Sequence, residues 1–171
     1  MSTLETIKVC LFLALISTLA FSQMPTWKDL KLLVSTEKDI VALGGEEEKP
    51  KWGSHRQFKL TSELRLDVEF EQVGFCSGSD SKWNVPKNTV VDLTLYFLPP
   101  IPIGELGLDL SGFKEHRPKN DIPSIFYLWN EEKGAVLEVR EVHTTKEALV
   151  QSLRLSPPKS QGHLRCSGTK E

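Results

Sequence analysis

The longest regular pattern in the chain is an alternation of apolar and polar residues over positions 58–76. Apolar side chains occupy the even positions of this stretch: Phe58, Leu60, Leu64, Leu66, Val68 and Phe70. A period of two predicts β-structure with one apolar face and one charged face, because successive side chains leave a strand on opposite sides. The pattern is interrupted at Thr61 and Ser62, which allows either one bent strand or two paired strands.

Further strands are predicted along the rest of the chain, and the alternation itself returns at residues 90–98 and 106–110. Residues 90–98 carry apolar side chains at the odd positions, including Val91, Leu93, Leu95 and Phe97. The segments 125–129 and 135–142, joined by a polar turn with Gly134, predict a β-hairpin. Leu106, Leu108 and Leu110 alternate with smaller residues and predict a bent strand. The intervening run Pro99-Pro100-Ile101-Pro102 predicts an edge position or a loop, since proline donates no backbone hydrogen bond.

Two segments lack this alternation. Residues 30–43 are densely apolar without a clean period, and we interpret them as a strand, with a helical turn after Thr26 as the alternative. Thr144 is followed by Glu147 in the spacing of a capping box, and apolar residues come directly after it. This pattern predicts one short C-terminal helix over about residues 145–153.

Many short antiparallel strands and a single helix indicate an all-β fold. Two architectures satisfy the pattern, a closed up-and-down barrel and a two-sheet β-sandwich, and the composition does not choose between them.

The first 22 residues predict a secretory signal peptide. Lys8 precedes an apolar run of roughly 13 residues, too short for a span of about 20, and Ala20-Phe21-Ser22 resembles a cleavage signal. Residues 23–171 then form one domain of a secreted, extracellular protein, and no later segment predicts a membrane span. Cys10 leaves with the signal peptide, so Cys76 and Cys166 are expected to form a disulfide in an oxidising compartment.

The remaining chemistry excludes several functional classes. The chain has a formal net charge of −2 with both signs interspersed, which argues against a nucleic-acid surface. The histidines have no metal-ligand spacing, no Gly-x-Ser-x-Gly motif occurs, and both mature cysteines are committed to the disulfide. We therefore expect no metal, no cofactor and no enzymatic activity.

The order of several motifs resembles the lipocalin family, in particular its odorant-binding, urinary and epididymal members. A Trp near the mature N-terminus, Trp27, precedes Ser35-Thr36-Glu37-Lys38, and the strand Leu64-Arg65-Leu66-Asp67-Val68-Glu69-Phe70 leads to Cys76. Asn120-Asp121-Ile122 stands where the family often has Thr-Asp-Tyr, and the segment from Leu128 to Gly134 is similar to its penultimate hairpin.

The resemblance implies an eight-stranded antiparallel up-and-down barrel with one short C-terminal helix and an interior that holds one small ligand. It implies that the disulfide joins the fourth strand to the C-terminal tail, that Trp27 closes the barrel floor, and that Arg140 packs over its indole. The implied hairpin register turns Tyr127 and Trp129 outward. The residues expected to line the ligand cavity are Phe58, Leu60, Leu66, Val68, Phe70, Leu93, Leu95, Phe97, Leu106, Leu108, Phe126 and Leu128.

Two functions follow as expectations. The first is a secreted carrier, monomeric or weakly dimeric, that binds an odorant-, retinoid- or fatty-acid-like molecule inside the barrel. The second is a secreted β-rich interaction module that contacts a cell-surface receptor or a matrix protein through its outer surface, with Tyr127 and Trp129 among the contact residues.

Overall fold

The computed structural model describes residues 26–52, 54–78, 80–118, 124–142 and 147–167. The predicted signal peptide, the Asn120-Asp121-Ile122 motif, His143 and residues 144–146 of the predicted capping box lie outside these residues. The elements, numbered in chain order with η for 3-10 helices, are β1 Thr26–Trp27, β2 Leu30–Lys31, α1 Glu37–Ala42, β3 Glu46–Trp52, β4 His55–Lys59, β5 Leu64–Phe70, β6 Val90–Pro102, η1 Ile103–Leu106, β7 Lys114–His116, β8 Ile125–Asn130, β9 Ala135–Val142, β10 Glu147–Leu155 and η2 Lys159–Leu164.

The predicted all-β class is confirmed. One antiparallel sheet of eight strands has the order β3-β4-β5-β6-β10-β9-β8-β7, and β1 with β2 forms a separate two-stranded ribbon. The long alternating stretch forms the hairpin β4–β5, in which Phe58 lies opposite Leu66 and the chain turns after Leu60. The second predicted hairpin is β8–β9.

Strands β3 to β6 are neighbours in sequence order, and so are β7 to β10, but β6 pairs with β10 instead of with β7. After β6 the chain crosses to the opposite edge of the sheet, where β7 lies. Strands β8, β9 and β10 then follow in order from that edge, and β10 pairs with β6. The predicted up-and-down order is therefore wrong at the β6–β7 connection. The sheet remains open, with β3 and β7 as its two edges.

A main core covers the apolar face of this sheet. Its buried members come from β4, β5, β6, β8, β9 and β10, together with Leu30, Leu32 and Ile40 from the N-terminal segment. Leu106, Leu110 and Phe113 of the β6–β7 crossover also pack against it. The crossover and the N-terminal segment therefore pack against the same apolar core as the sheet.

The predicted C-terminal helix is wrong, because residues 147–155 form β10 at the centre of the sheet, between β6 and β9. The register of β10 shifts between Val150 and Ser152. Relative to β9, this irregularity inserts one extra residue into β10, so that the buried residues Val150 and Leu153 lie three positions apart. That spacing matches a helix period, which explains the erroneous prediction.

The predicted strand over residues 30–43 is confirmed only at Leu30–Lys31, because the chain turns directly after them and α1 begins after Thr36. Asp39 Oδ2 accepts hydrogen bonds from the Thr36 backbone N–H at 2.6 Å and from the Thr36 hydroxyl at 3.0 Å. This local pairing at a helix N-terminus stabilises the first turn. Ile40 then points into the main core, while Val41 is exposed.

One further segment differs from its predicted form, and the proline run takes one of its two predicted positions. Residues 107–110 follow η1 without strand pairing, and Leu108 is 40% exposed instead of inward-facing. Residues 99–102 belong to β6, which there extends beyond the end of β5 and pairs only with β10. The proline run therefore has a paired strand on one side only, as in an edge strand.

A minor core lies beside the main core and consists of Leu33, Trp83, Val85 and Val91 with Leu164 packed against them. A register shift at the β5–β6 pairing directs Val90 into the main core and Val91 into the minor core. The disulfide between Cys76 and Cys166 is present, with the Cα atoms 5.3 Å apart, and it ties this region to the C-terminal segment.

Candidate functional site

The residues predicted to line a ligand cavity belong to the main core or pack against it, with the exception of Leu108. Phe58, Leu66, Val68 and Leu95 have 0% of their surface accessible. A void large enough to hold a water molecule would expose part of each side chain that lines it. No such void therefore touches Phe58, Leu66, Val68 or Leu95. Leu60, Phe97, Leu106 and Leu128 are only partly buried and lie around this tightly packed centre.

The expected pairing of Trp27 with Arg140 is replaced by other contacts among the described residues. Trp27 is partly buried against the main core, and the cation over its ring is Lys28 Nζ, 4.6 Å from the centroid. Arg140 is an exposed residue of β9. Arg56 instead places its guanidinium 5.4 Å from the Phe58 ring centroid and binds the carboxylate of Glu37, which joins α1 to β4.

A cleft of about 390 Å³ lies at the margin of the main core, between the C-terminal segment and the β8–β9 hairpin, and the core residue Ala135 forms part of its lining. We call it the tryptophan cleft. Its lining combines two indoles, two prolines, small residues and three charged side chains: Trp83, Trp129, Asn130, Glu131, Gly134, Ala135, Val136, Ser156, Pro157, Pro158, Lys159, Gly162 and Arg165.

The Trp83 side of the cleft is built by the C-terminal segment. Trp83 forms an antiparallel bridge with Arg165, whose guanidinium carbon lies 5.4 Å from the Trp83 ring centroid. The backbone N–H of Asn84 donates to Leu164, and that of Cys166 donates to Lys82. The disulfide follows directly after Arg165, so a covalent link stabilises this side of the cleft.

The Trp129 side is built by the hairpin. Trp129 lies opposite Val136 in the β8–β9 register, on the face away from the main core, as predicted. At the turn, Gly134 has φ +59°, and a Cβ there would lie 2.0 Å from the Ser156 carbonyl oxygen. Only glycine allows this close approach of the turn to the residue after β10. The Ser156 N–H donates to the Gly134 carbonyl at 2.7 Å, which fixes the base of the cleft.

Opposite charges are paired at the rim. Lys159 of η2 forms an ion pair with Glu131 of the hairpin turn. The hydrogen bond from Lys159 lowers the pKa of Glu131, and the same contact raises the pKa of Lys159. Both groups are exposed, so the pair contributes little to stability. Its importance for the site is that it joins η2 to the hairpin across the cleft.

The hairpin register implied by the lipocalin resemblance turned Trp129 outward, but nothing in the sequence singled out Trp83 or Arg165. These two are distant from Trp129 in the chain, and no period or motif connects the three. The histidines described by the structure, His55, His116 and His163, are exposed. Within the described ranges no group of three His, Cys, Asp or Glu side chains could hold a metal ion.

No family model, curated protein or solved structure matches this chain. In the part of the chain that the structure describes, no helix combines the length and apolar character needed to cross a membrane.

Proposed function

We propose that the protein is a secreted carrier that holds a small, largely apolar ligand in the tryptophan cleft. The proposal retains the carrier role implied by the lipocalin resemblance and moves the ligand from the interior to the cleft between the β8–β9 hairpin and the C-terminal segment. Export is supported by the signal-peptide pattern and by a disulfide of the kind that persists in oxidising compartments.

The composition and size of the cleft support this role. Its volume of about 390 Å³ falls within the range of small-molecule sites. Trp129, Pro157 and Pro158 provide apolar surface on side chains with few rotatable bonds, so little conformational entropy is lost when a ligand packs against them. In contrast, a ligand among Phe58, Leu66 and Val68 would have to separate side chains that are already in contact.

Trp129→Ala should weaken binding of the fluorescent probe 1-aminoanthracene by about 10- to 100-fold. Loss of an indole surface removes roughly 1.5–3 kcal/mol of apolar contact from the complex. Fluorescence titration of the purified oxidised protein measures the effect. Tyr127→Ala is the matched control, because Tyr127 is another half-buried aromatic residue of β8 that is not part of the cleft lining.

An unchanged affinity in Trp129→Ala would overturn the assignment of the cleft. If Phe97→Ala then abolished binding, the ligand would lie on the core-facing side of the sheet, as the resemblance implies. Circular dichroism of each variant shows whether the sheet is retained.

A second candidate function, contact with a protein partner such as a cell-surface receptor, is favoured by the loop that precedes Trp83. Phe75 is 65% exposed and has φ +51°, and the next residue, Cys76, has φ +54°. Left-handed backbone costs a residue with a side chain about 1–2 kcal/mol. The disulfide and Glu71 hold the loop in this form, and strain of this kind concentrates at functional positions.

Phe75→Ala should reduce binding of the labelled protein to receptor-bearing cells by about tenfold or more, because a single exposed aromatic anchor can dominate an interface. Flow cytometry with the labelled protein measures the change. Val41→Ala removes a comparably exposed apolar side chain from α1 and serves as the control. Equal cell binding by the wild type and Phe75→Ala would eliminate this candidate.

A further inference from the structure

The disulfide attaches the C-terminal segment to the Trp83 side of the tryptophan cleft. Lys159, Gly162 and Arg165 of this segment line the cleft. The segment pairs with residues 82–84 through the Trp83–Arg165 bridge, whose two backbone hydrogen bonds are 2.7 and 3.0 Å long. Backbone hydrogen bonds of an exposed segment open locally in a folded protein, whereas a disulfide does not. The disulfide is therefore the contact whose loss would free this side of the cleft.

The two cysteines of the disulfide differ in accessibility. Cys76 is an exposed residue, whereas Cys166 is only 9% exposed. Thiol–disulfide exchange begins when a thiolate attacks one of the two sulfurs, and the sulfur that is attacked depends on access and on how well the other sulfur leaves. An external thiol therefore reaches Cys76 more easily than Cys166.

A buried hydroxyl lies beside the other sulfur. The Ser81 Oγ atom is 3.6 Å from Cys166 Sγ, and a disulfide sulfur carries no proton, so the hydroxyl is the donor in this contact. The same oxygen accepts the backbone N–H of Cys76 at 3.1 Å, which holds Ser81 next to the disulfide. A hydrogen bond to Cys166 Sγ stabilises the thiolate that forms there when the S–S bond breaks. Ser81 thus makes Cys166 the better leaving group.

We propose that the disulfide is a redox switch of the cleft: a dithiol reductant attacks Cys76 Sγ, Cys166 leaves as a thiolate, and the freed C-terminal segment releases the ligand. The ligand release rests on the proposed carrier function, because it concerns the regulation of the same site.

The exchange consists of two displacements. In the first, the reductant thiolate forms a bond to Cys76 Sγ, and the electron pair of the S–S bond leaves with Cys166 Sγ, which takes a proton from water. In the second, the other thiol of the reductant loses its proton, attacks the mixed disulfide and displaces Cys76 as a thiolate, which is protonated in turn. Overall the dithiol loses two electrons and two protons and becomes a disulfide, while both cysteines become thiols.

The backbone at Cys76 favours the reduced form. Phe75 and Cys76 have φ angles of +51° and +54°, which are unfavourable for residues with a side chain. Once the sulfurs separate, this part of the loop is free to leave the left-handed region, so reduction relieves backbone strain. Strained or exposed disulfides are the ones that are reduced readily.

Reaction of the oxidised protein with reduced glutathione identifies the sulfur that is attacked. After alkylation with iodoacetamide, peptide mass spectrometry should find glutathione on Cys76 and the alkyl group on Cys166, in about tenfold excess over the reverse pattern. Ser81→Ala should slow reduction by dithiothreitol about three- to tenfold, and Ser81→Thr, which keeps the hydroxyl, should restore most of the rate. Ser77→Ala is the matched control, since the Ser77 hydroxyl of the same loop donates to the Gly74 carbonyl. Glutathione mainly on Cys166, or an unchanged rate in Ser81→Ala, would overturn the proposed exchange.

Reduction of the wild type by dithiothreitol tests the opening of the cleft. The circular dichroism spectrum should be retained, acrylamide quenching of tryptophan fluorescence should increase, and the affinity for 1-aminoanthracene should fall about tenfold or more. Reoxidation with diamide should reverse the last two changes. Trp83→Phe should abolish the increase in quenching, because Trp83 is the buried indole that the segment pairs with. Unchanged quenching, or loss of the sheet signal on reduction, contradicts a switch that frees the segment alone.

Trp129→Ala separates the switch from the carrier function. If this variant lowers the affinity of the oxidised protein for 1-aminoanthracene but reduction of the wild type does not, the switch is wrong and the carrier function stands. If neither changes the affinity although reduction exposes Trp83, the carrier function fails and the ligand release fails with it.

Discussion

The double variant Cys76→Ser/Cys166→Ser will have a free energy of unfolding about 4 kcal/mol lower than the wild type. The disulfide closes a loop with a sequence separation of 90 residues. In the chain-entropy model, such a loop restricts the unfolded chain by an amount worth between about 3 and 5 kcal/mol. For a domain of this size, the corresponding decrease in Tm is about 8–16 °C.

Urea unfolding of both proteins, followed by circular dichroism, measures this difference. The wild type in excess reducing agent should converge on the double variant, which separates the covalent effect from that of the serine hydroxyls. A difference below about 1 kcal/mol would show that the hydrogen bonds of residues 164–166 hold the tail without the disulfide.

The variant carries a second consequence for the tryptophan cleft. Arg165 and the minor core depend on the C-terminal segment, whereas the main core is formed by other residues. We therefore expect the double variant to retain its sheet signal at 25 °C and to lose affinity for cleft probes.

Glu71→Ala will lower the free energy of unfolding by about 3 kcal/mol. Glu71 is buried, with 2% of its surface accessible. Its Oε2 accepts the backbone N–H groups of Trp83 at 2.9 Å and Lys82 at 3.1 Å, and its Oε1 accepts those of Val73 and Gly74. Removing the carboxylate leaves these donors unsatisfied, at about 1–3 kcal/mol for each one that water cannot reach.

The same contacts give the stability a pH dependence. Burial by itself would raise the pKa of Glu71, but the backbone N–H donors, led by that of Trp83, hold it below its ordinary value. Because the pKa of Glu71 is lower in the folded state than in the unfolded state, its ionised carboxylate contributes its full stabilisation above the unfolded-state pKa of about 4.3. This contribution is lost as the pH falls through the lower folded-state value.

Denaturant unfolding at pH 7 and at pH 3 tests both statements. Glu63→Gln, an exposed glutamate in the β4–β5 turn, is the control and should behave as the wild type. The difference between wild type and Glu71→Ala should shrink at the lower pH. A difference that stays constant would mean that the charge of Glu71 does not contribute.

Local patterns predicted much of the sheet because they depend on neighbouring residues. The hairpin β4–β5 is visible in the alternation around Leu66, and the turn at Gly134 is marked by its composition. The β10 prediction failed for an equally local reason, since the bulge after Val150 gives a strand the spacing of a helix. The helix α1 was missed because a capping pair, Thr36 with Asp39, overrode an apolar run without a clear period.

The sequence by itself determined the all-β class and the pairing of the two cysteines that follow the predicted signal peptide, and the lipocalin resemblance added the outward direction of Trp129. Only the tertiary structure decided that β6 pairs with β10, that the crossover packs against the main core, and that Trp83, Trp129 and Arg165 line one cleft. The physical reason is that alternation specifies which face of a strand is apolar, whereas strand order and the meeting of distant side chains depend on how all apolar faces are buried together.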